Sequence, residues 1–130
     1  MANISNADDT PISMRVGSRI VTLSRDVFFG MRVRTILRQL GVDLVLTKDE
    51  ASTVEAVSDG ATMLALVDFN QPVDWAALAP LISSEVPVVA FGSHTDVEGF
   101  RTAKAAGVDR VVSNGEFSRN LPSLIEKYKV

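Results

Sequence analysis

Cysteine is absent from this chain and histidine occurs once, as His94. The first absence excludes a disulfide scaffold, thiolate catalysis and cysteine-ligated zinc. The second leaves any transition-metal site without a second imidazole. No apolar run approaches the ~18 residues that announce a membrane-spanning helix. The polar start, Met1 to Asp9, lacks the basic and apolar regions of a signal peptide, so a cytoplasmic location is expected. Positive charge is not in excess either. Thirteen Lys and Arg against sixteen Asp and Glu give a net charge of −3, which offers nucleic acid no general electrostatic handle. The glycine-rich and nucleophile-elbow motifs G-x-G-x-x-G, G-x-x-x-x-G-K-[ST] and G-x-S-x-G are all missing. Dinucleotide, P-loop nucleotide and hydrolase-triad chemistries therefore lack their phosphate cradle or nucleophile turn. A mononucleotide flavin site fares no better, because Ser24 to Phe28 is not the Ser/Thr/Gly-rich loop it would want.

What is present is one domain's worth of alternating strand and helix. The chain has 130 residues, 46% of them hydrophobic, enough for a single core without staples. Residues 1–17 carry Asp8, Asp9 and Pro11 without periodicity and read as a flexible leader; residues 18–130 read as the folded unit. Within that unit, short runs rich in branched residues are bounded by Gly, Pro, Asp or Ser. They are Arg19 to Leu23, Val42 to Leu46, Met63 to Val67, Pro87 to Phe91 and Arg110 to Val112, the pattern of parallel strands buried on both faces.

Helical stripes lie between them. Phe29, Val33, Ile36, Leu37 and Leu40 share one face, with Gly41 as the stop, while Arg32, Arg34 and Arg38 read as a solvated face, the alternative being a surface that docks an acidic partner. Phe117, Leu121, Leu124, Ile125 and Tyr128 form the last stripe, with Lys127 and Lys129 near its negative end. A weaker stripe, Val97, Phe100, Ala103 and Ala106, ends at Gly107. Ala51 to Ser58 and Val73 to Ser83 are expected as shorter helices, the second bent or shortened by Pro80. This alternation predicts an α/β, flavodoxin-like, doubly wound parallel sheet of five strands in the order 2-1-3-4-5, with helices on both faces.

The run Met63 to Pro72 is the most informative segment. An apolar strand ends on a single acid, Asp68, and Asn70 and Pro72 follow in the turn. Open α/β sheets place their chemistry at such strand ends. Val67-Asp-Phe-Asn-Gln-Pro72 resembles the strand-end D-x-N-x-P of response-regulator receiver domains, the CheY-like signalling modules of two-component systems. The Pro87 to Phe91 strand and Ala105 to Val112 resemble the corresponding receiver segments. The resemblance spans nearly all of residues 18–130.

That resemblance implies a definite site. In receivers an acidic pair after the first strand, the acceptor aspartate and a carbonyl two residues beyond it hold Mg²⁺, a hard cation that wants oxygen ligands and offsets the charge repelling an incoming phosphoryl group. Asp68 matches the acceptor and Asn70 the carbonyl donor. The acidic pair aligns instead with Ser24 and Arg25, and Asp26 falls one place late. The family's hydroxyl residue aligns with Gly92, with Ser93 next in line. Its lysine aligns with Asn114, its following proline with Gly115, and its aromatic switch with Val111.

Asp68 is thus the candidate phosphoacceptor, and Asp26, Asp68 and Asn70 are the weak candidate Mg²⁺ ligands. Ser24, Arg25, Gly92, Val111 and Asn114 are degenerate family positions. If Arg25 reached across the strand ends it would take the metal's place on Asp68; otherwise it faces water. Asp26 suits an N-cap as well as a ligand. The expected protein is a stand-alone pseudo-receiver without enzymatic activity or resident cofactor. It would dock to another protein, or to a second copy, through the fourth helix, fifth strand and fifth helix, a surface drawn from Asp96 to Ala106, Arg110 to Ser113 and Ser118 to Lys129. Two alternatives stay open. One is a phosphorelay regulator accepting phosphate from a histidine kinase on Asp68. The other is a small-ligand module using the strand-end crevice, or a structural subunit of an assembly.

Overall fold

In the computed structural model, which describes residues 19–128, strands and helices alternate from one end to the other. The strands are β1 (Arg19–Leu23), β2 (Asp43–Thr47), β3 (Thr62–Asp68), β4 (Val88–Gly92) and β5 (Arg110–Ser113). The helices are α1 (Val27–Gln39), α2 (Glu50–Val57), α3 (Ala79–Ile82), α4 (Val97–Ala106) and α5 (Asn114–Tyr128). All strand pairs are parallel, in the order β2-β1-β3-β4-β5. The expected architecture is the observed one. The expected leader, residues 1–17, and Lys129 lie outside the described residues.

The two-residue period of a strand divides the core into two layers. Leu64 and Leu66 of β3, with Val89 and Phe91 of β4, pack among Phe29, Val33 and Leu37 of α1 and Phe117, Leu121 and Ile125 of α5. Ala65, Val67, Val88 and Ala90 point the other way, toward Val57, Leu81 and Ala103. β3 is buried along its whole length, which is why it reads as an unbroken apolar run rather than an alternating one. Asp68 and Phe69 inherit this alternation. The first emerges between α1 and α5, and the second turns toward α4.

Local chemistry sets where the helices begin and end. Asp26, Asp49 and Asp96 cap α1, α2 and α4, each carboxylate accepting a backbone N–H three residues on. The α4 stop is Gly107, at φ 100°, a conformation that costs a side-chain-bearing residue more than glycine.

One expectation needs correction, and another gains a boundary. Val73 to Ser83 does not form a helix of that length. Residues 75–78 make turns, and α3 is a single helical turn with Pro80 near its start, where a missing N–H costs nothing. The last helix also begins earlier than its apolar stripe. α5 follows β5 with no intervening loop, and the Ser113 hydroxyl caps it by accepting the Glu116 N–H at 3.1 Å. Asn114 therefore sits on the first turn of a helix.

Candidate functional site at the strand ends

Asp68 ends β3 beneath the first turns of α1 and α5, and it is 4% exposed. A carboxylate so placed needs partners, because an unmet charge in a dry site costs several kcal/mol. Both of its oxygens have them. Oδ2 accepts the Ser24 hydroxyl at 2.7 Å. Oδ1 accepts the Asn70 backbone N–H at 2.9 Å and the Asn70 side-chain amide at 2.8 Å.

The net continues on each side. Ser24 Oγ accepts the Asp26 N–H at 3.1 Å, and Asp26 in turn accepts the Phe29 N–H at 3.0 Å, joining Asp68 to the cap of α1. Asn70 and Asn114 exchange amide hydrogen bonds, 2.9 Å in each direction, across the mouth of the site. The Arg25 backbone N–H donates to Gln71 Oε1 at 2.7 Å, which ties the β1–α1 loop to the β3–α3 loop.

These groups rim a crevice of about 330 Å³. Asp26, Asp68, Asn70 and Asn114 supply its polar edge, with Arg32 and Ser118 beside them. Its inner wall is aromatic. Phe29 stacks on Phe91 with centroids 4.8 Å apart, and Phe91 stacks on Phe117 at 4.3 Å. Such pairs contribute about 0.5–1.5 kcal/mol each beyond their burial, so the wall is part of the core.

Position 92 explains the missing hydroxyl residue. A Cβ on Gly92 would lie 2.7 Å from Phe69 Cζ and closer still to the ring's near edge. The Phe69 ring also comes within 2.8 Å of where a Gly99 Cβ would stand, and it meets Phe100 edge-on at a centroid distance of 5.4 Å. Phe69 is thus wedged between the end of β4 and the first turn of α4. Ser93 does not replace the hydroxyl in the crevice, since its Oγ pairs with Thr95 Oγ1 at 2.8 Å inside the loop.

The structure brings together Ser24, Asp26, Asp68, Asn70 and Asn114. Arg25 stands apart: it is exposed, and among the described residues Asp68 forms no salt bridge. Val111 is half-buried and packs against the layer under α4, and His94 is exposed in the β4–α4 loop. Sequence reasoning missed Phe69, Gln71 and the stacked aromatic wall. For Phe69 a signal existed, because a glycine replacing a family hydroxyl implies a neighbour that has taken the space.

The fold is that of response-regulator receiver domains. The receiver domain of a sensor histidine kinase from Pseudomonas aeruginosa PAO1, solved with a magnesium ion in its active-site cleft, superposes with a TM-score of 0.71 at 19% identity, covering 86% of this chain and 97% of that one. The receiver domain of TorR, the response regulator of the TMAO respiratory system, gives 0.70 at 19% identity over 85% and 98%. NtrX from Brucella abortus gives 0.69 at 21% identity, covering 85% of this chain but only 26% of the NtrX chain. No protein-family model matches the chain, and no curated protein sequence matches it.

Proposed function

We propose that this chain is a pseudo-receiver: a receiver-fold signalling domain whose strand-end site is held in one state and whose output is docking to another protein. The observation that carries this reading is the closed net around Asp68, in which neutral donors engage both carboxylate oxygens. Attack on a phosphoryl group needs a free oxygen and a cation to offset the charge that develops. Ser24 stands where the resemblance implies an acid, and Asn114 where it implies a lysine.

The donor set also suits Mg²⁺ poorly. Mg²⁺ prefers hard, charged oxygens in octahedral array. Asp26 and Asp68 line the same crevice, but Asp26 is engaged as the α1 cap. Among the described residues, no three His, Cys, Asp or Glu side chains cluster closely enough to hold a metal. Phe69 adds a mechanical reason. Its ring fills the space in which a hydroxyl-bearing side chain at position 92 would stand.

That shared crevice supports a second reading, a phosphoacceptor with Mg²⁺ on Asp26, Asp68 and the Asn70 carbonyl. A backbone-amide NMR titration with Mg²⁺ and then beryllium fluoride, a mimic of the phosphoryl group on an aspartate, separates the two. The pseudo-receiver leaves Asp26, Asp68 and Asn70 unshifted at millimolar metal. Shifts centred on those residues and spreading to β5 would instead establish a phosphorylated switch.

A further inference from the structure

The mouth of the crevice is closed by two neutral amides, and one of them stands directly before a glycine. We infer that Asn114 is a site of spontaneous deamidation, and that its clasp with Asn70 sets the rate at which the amide becomes an acid. Asn114-Gly115 is the one Asn-Gly pair in the chain. Glycine leaves its backbone nitrogen unshielded by a Cβ, and that nitrogen is what attacks the preceding side-chain amide. Asn70 and Asn120 precede Gln71 and Leu121, whose side chains hinder the same attack. Both residues of the Asn-Gly pair are exposed, so water can enter and ammonia can leave. The site does not depend on whether Asp68 is a phosphoacceptor.

The start of α5 both favours the reaction and restrains it. Gly115 lies in the first turn, where backbone N–H groups have no intrahelical acceptor, and the positive end of the helix dipole favours loss of its proton. Against this, a helical backbone turns the Gly115 nitrogen away from Asn114 Cγ, so the first turn must fray before attack. The Asn114 amide is also pinned. It donates to Asn70 Oδ1 and accepts from Asn70 Nδ2, each at 2.9 Å, and Asn70 Nδ2 is itself anchored on Asp68 Oδ1 at 2.8 Å. In the reaction the Gly115 nitrogen gives its proton to water and bonds to Asn114 Cγ. The Cγ–Nδ2 bond breaks, Nδ2 departs as ammonia, and a succinimide remains. One water then adds at either ring carbonyl and opens the ring to aspartate or isoaspartate. One water enters, one ammonia leaves, and nothing is oxidised or reduced. A carboxylate at 114 has no N–H for Asn70 Oδ1, so the clasp loses one of its bonds and sets two oxygens face to face. The mouth passes one way, from closed and neutral to open and acidic, beside Asp26 and Asp68.

Incubating the purified full chain at mildly alkaline pH and following the peptides around positions 114 and 120 by mass spectrometry tests this, with Asn70→Ala and Gly115→Ala alongside. The second substitution is sterically mild, because an added Cβ meets only the end of the Arg119 side chain, at 3.1 Å from Nη1. The native chain should convert at 114 and not at 120. Asn70→Ala should convert several-fold faster at 114 alone, and Gly115→Ala should nearly stop. The Asn70 side-chain amide resonances of the aged native protein should shift as the acid accumulates. No conversion at 114, or equal rates in the native chain and Asn70→Ala, would overturn the inference. Acceleration shared by Asn120 would do so too, since the fold at large and not the clasp would then set the rate. Conversion that left the Asn70 amide resonances in place would overturn the opening of the mouth.

Discussion

Phe69 occupies the space that a side chain at position 92 would need, so the ring and the glycine form one unit. Serine at position 92 supplies the hydroxyl that the family resemblance calls for, yet it must displace an aromatic ring 6% exposed and packed on Phe100. Overpacking of this kind costs about 1–3 kcal/mol. Gly92→Ser should therefore lower the urea midpoint, and Phe69→Ala in the same chain should recover part of the loss. A double-mutant cycle that came out additive would show that the two positions are independent.

Ser24 offers a sharper test of the polar net. Among the described residues its hydroxyl is the sole hydrogen-bond partner of Asp68 Oδ2, and it also holds the Asp26 N–H. Ser24→Ala leaves a buried carboxylate oxygen unmet, a loss of about 1–3 kcal/mol. Equilibrium unfolding should show it, and Asp68→Asn should change the cost, because the neutral amide no longer presents a charged oxygen at that point. An unchanged stability in Ser24→Ala would mean that water takes the place of the hydroxyl.

The fold was legible because burial on both faces makes β3 an unbroken apolar run and because α1, α4 and α5 each carry a 3.6-residue stripe. Asp68, Asn70 and Asn114 were legible as positions, since their spacing follows the strand ends. Their relationships were not. The sequence offered Arg25 as the natural counter-charge, but that side chain is exposed and the adjacent Ser24, one residue earlier, faces Asp68 instead. A one-residue shift along a chain leaving a strand reverses the direction of a side chain. The length assigned to the segment after Val73 failed for a different reason: alanine and leucine favour a helix, but Asp74, Trp75 and Pro80 leave only one turn of it.

Stability should fall in acid through two carboxylates far from the crevice. Asp49 sits below its ordinary value of 3.8 because the Ser52 backbone N–H, and then its hydroxyl, favour the ionised cap. Asp59 is held below the same value chiefly by the Arg19 guanidinium, with the Ala61 N–H adding to it. Both bind protons more readily unfolded than folded. Their contribution is present above the ordinary value and is lost as pH falls through the lower, folded value. Both groups are solvent-exposed, so the effect is modest. Unfolding free energies measured across the acid range should show it, and Asp49→Asn with Asp59→Asn should flatten that limb. An unchanged slope would place the acid sensitivity elsewhere.

Restoring one missing acid should create metal dependence. Ser24→Asp sets a second carboxylate where a hydroxyl now lies 2.7 Å from Asp68 Oδ2, with Asp26 on the same crevice. Like charges at that range oppose each other's ionisation, so the metal-free variant should melt below the native protein. A hard divalent cation relieves the repulsion by sharing the carboxylates, and binding only the folded state raises its stability. Millimolar Mg²⁺ should therefore recover the melting temperature of Ser24→Asp and leave the native chain unmoved. Phosphorylation by acetyl phosphate should remain absent even then, because Asn114 still lacks a charge and Phe69 still fills the space beside Gly92. Equal Mg²⁺ stabilisation of the native chain would show instead that Asp26, Asp68 and the Asn70 carbonyl already suffice, and the pseudo-receiver reading would fall.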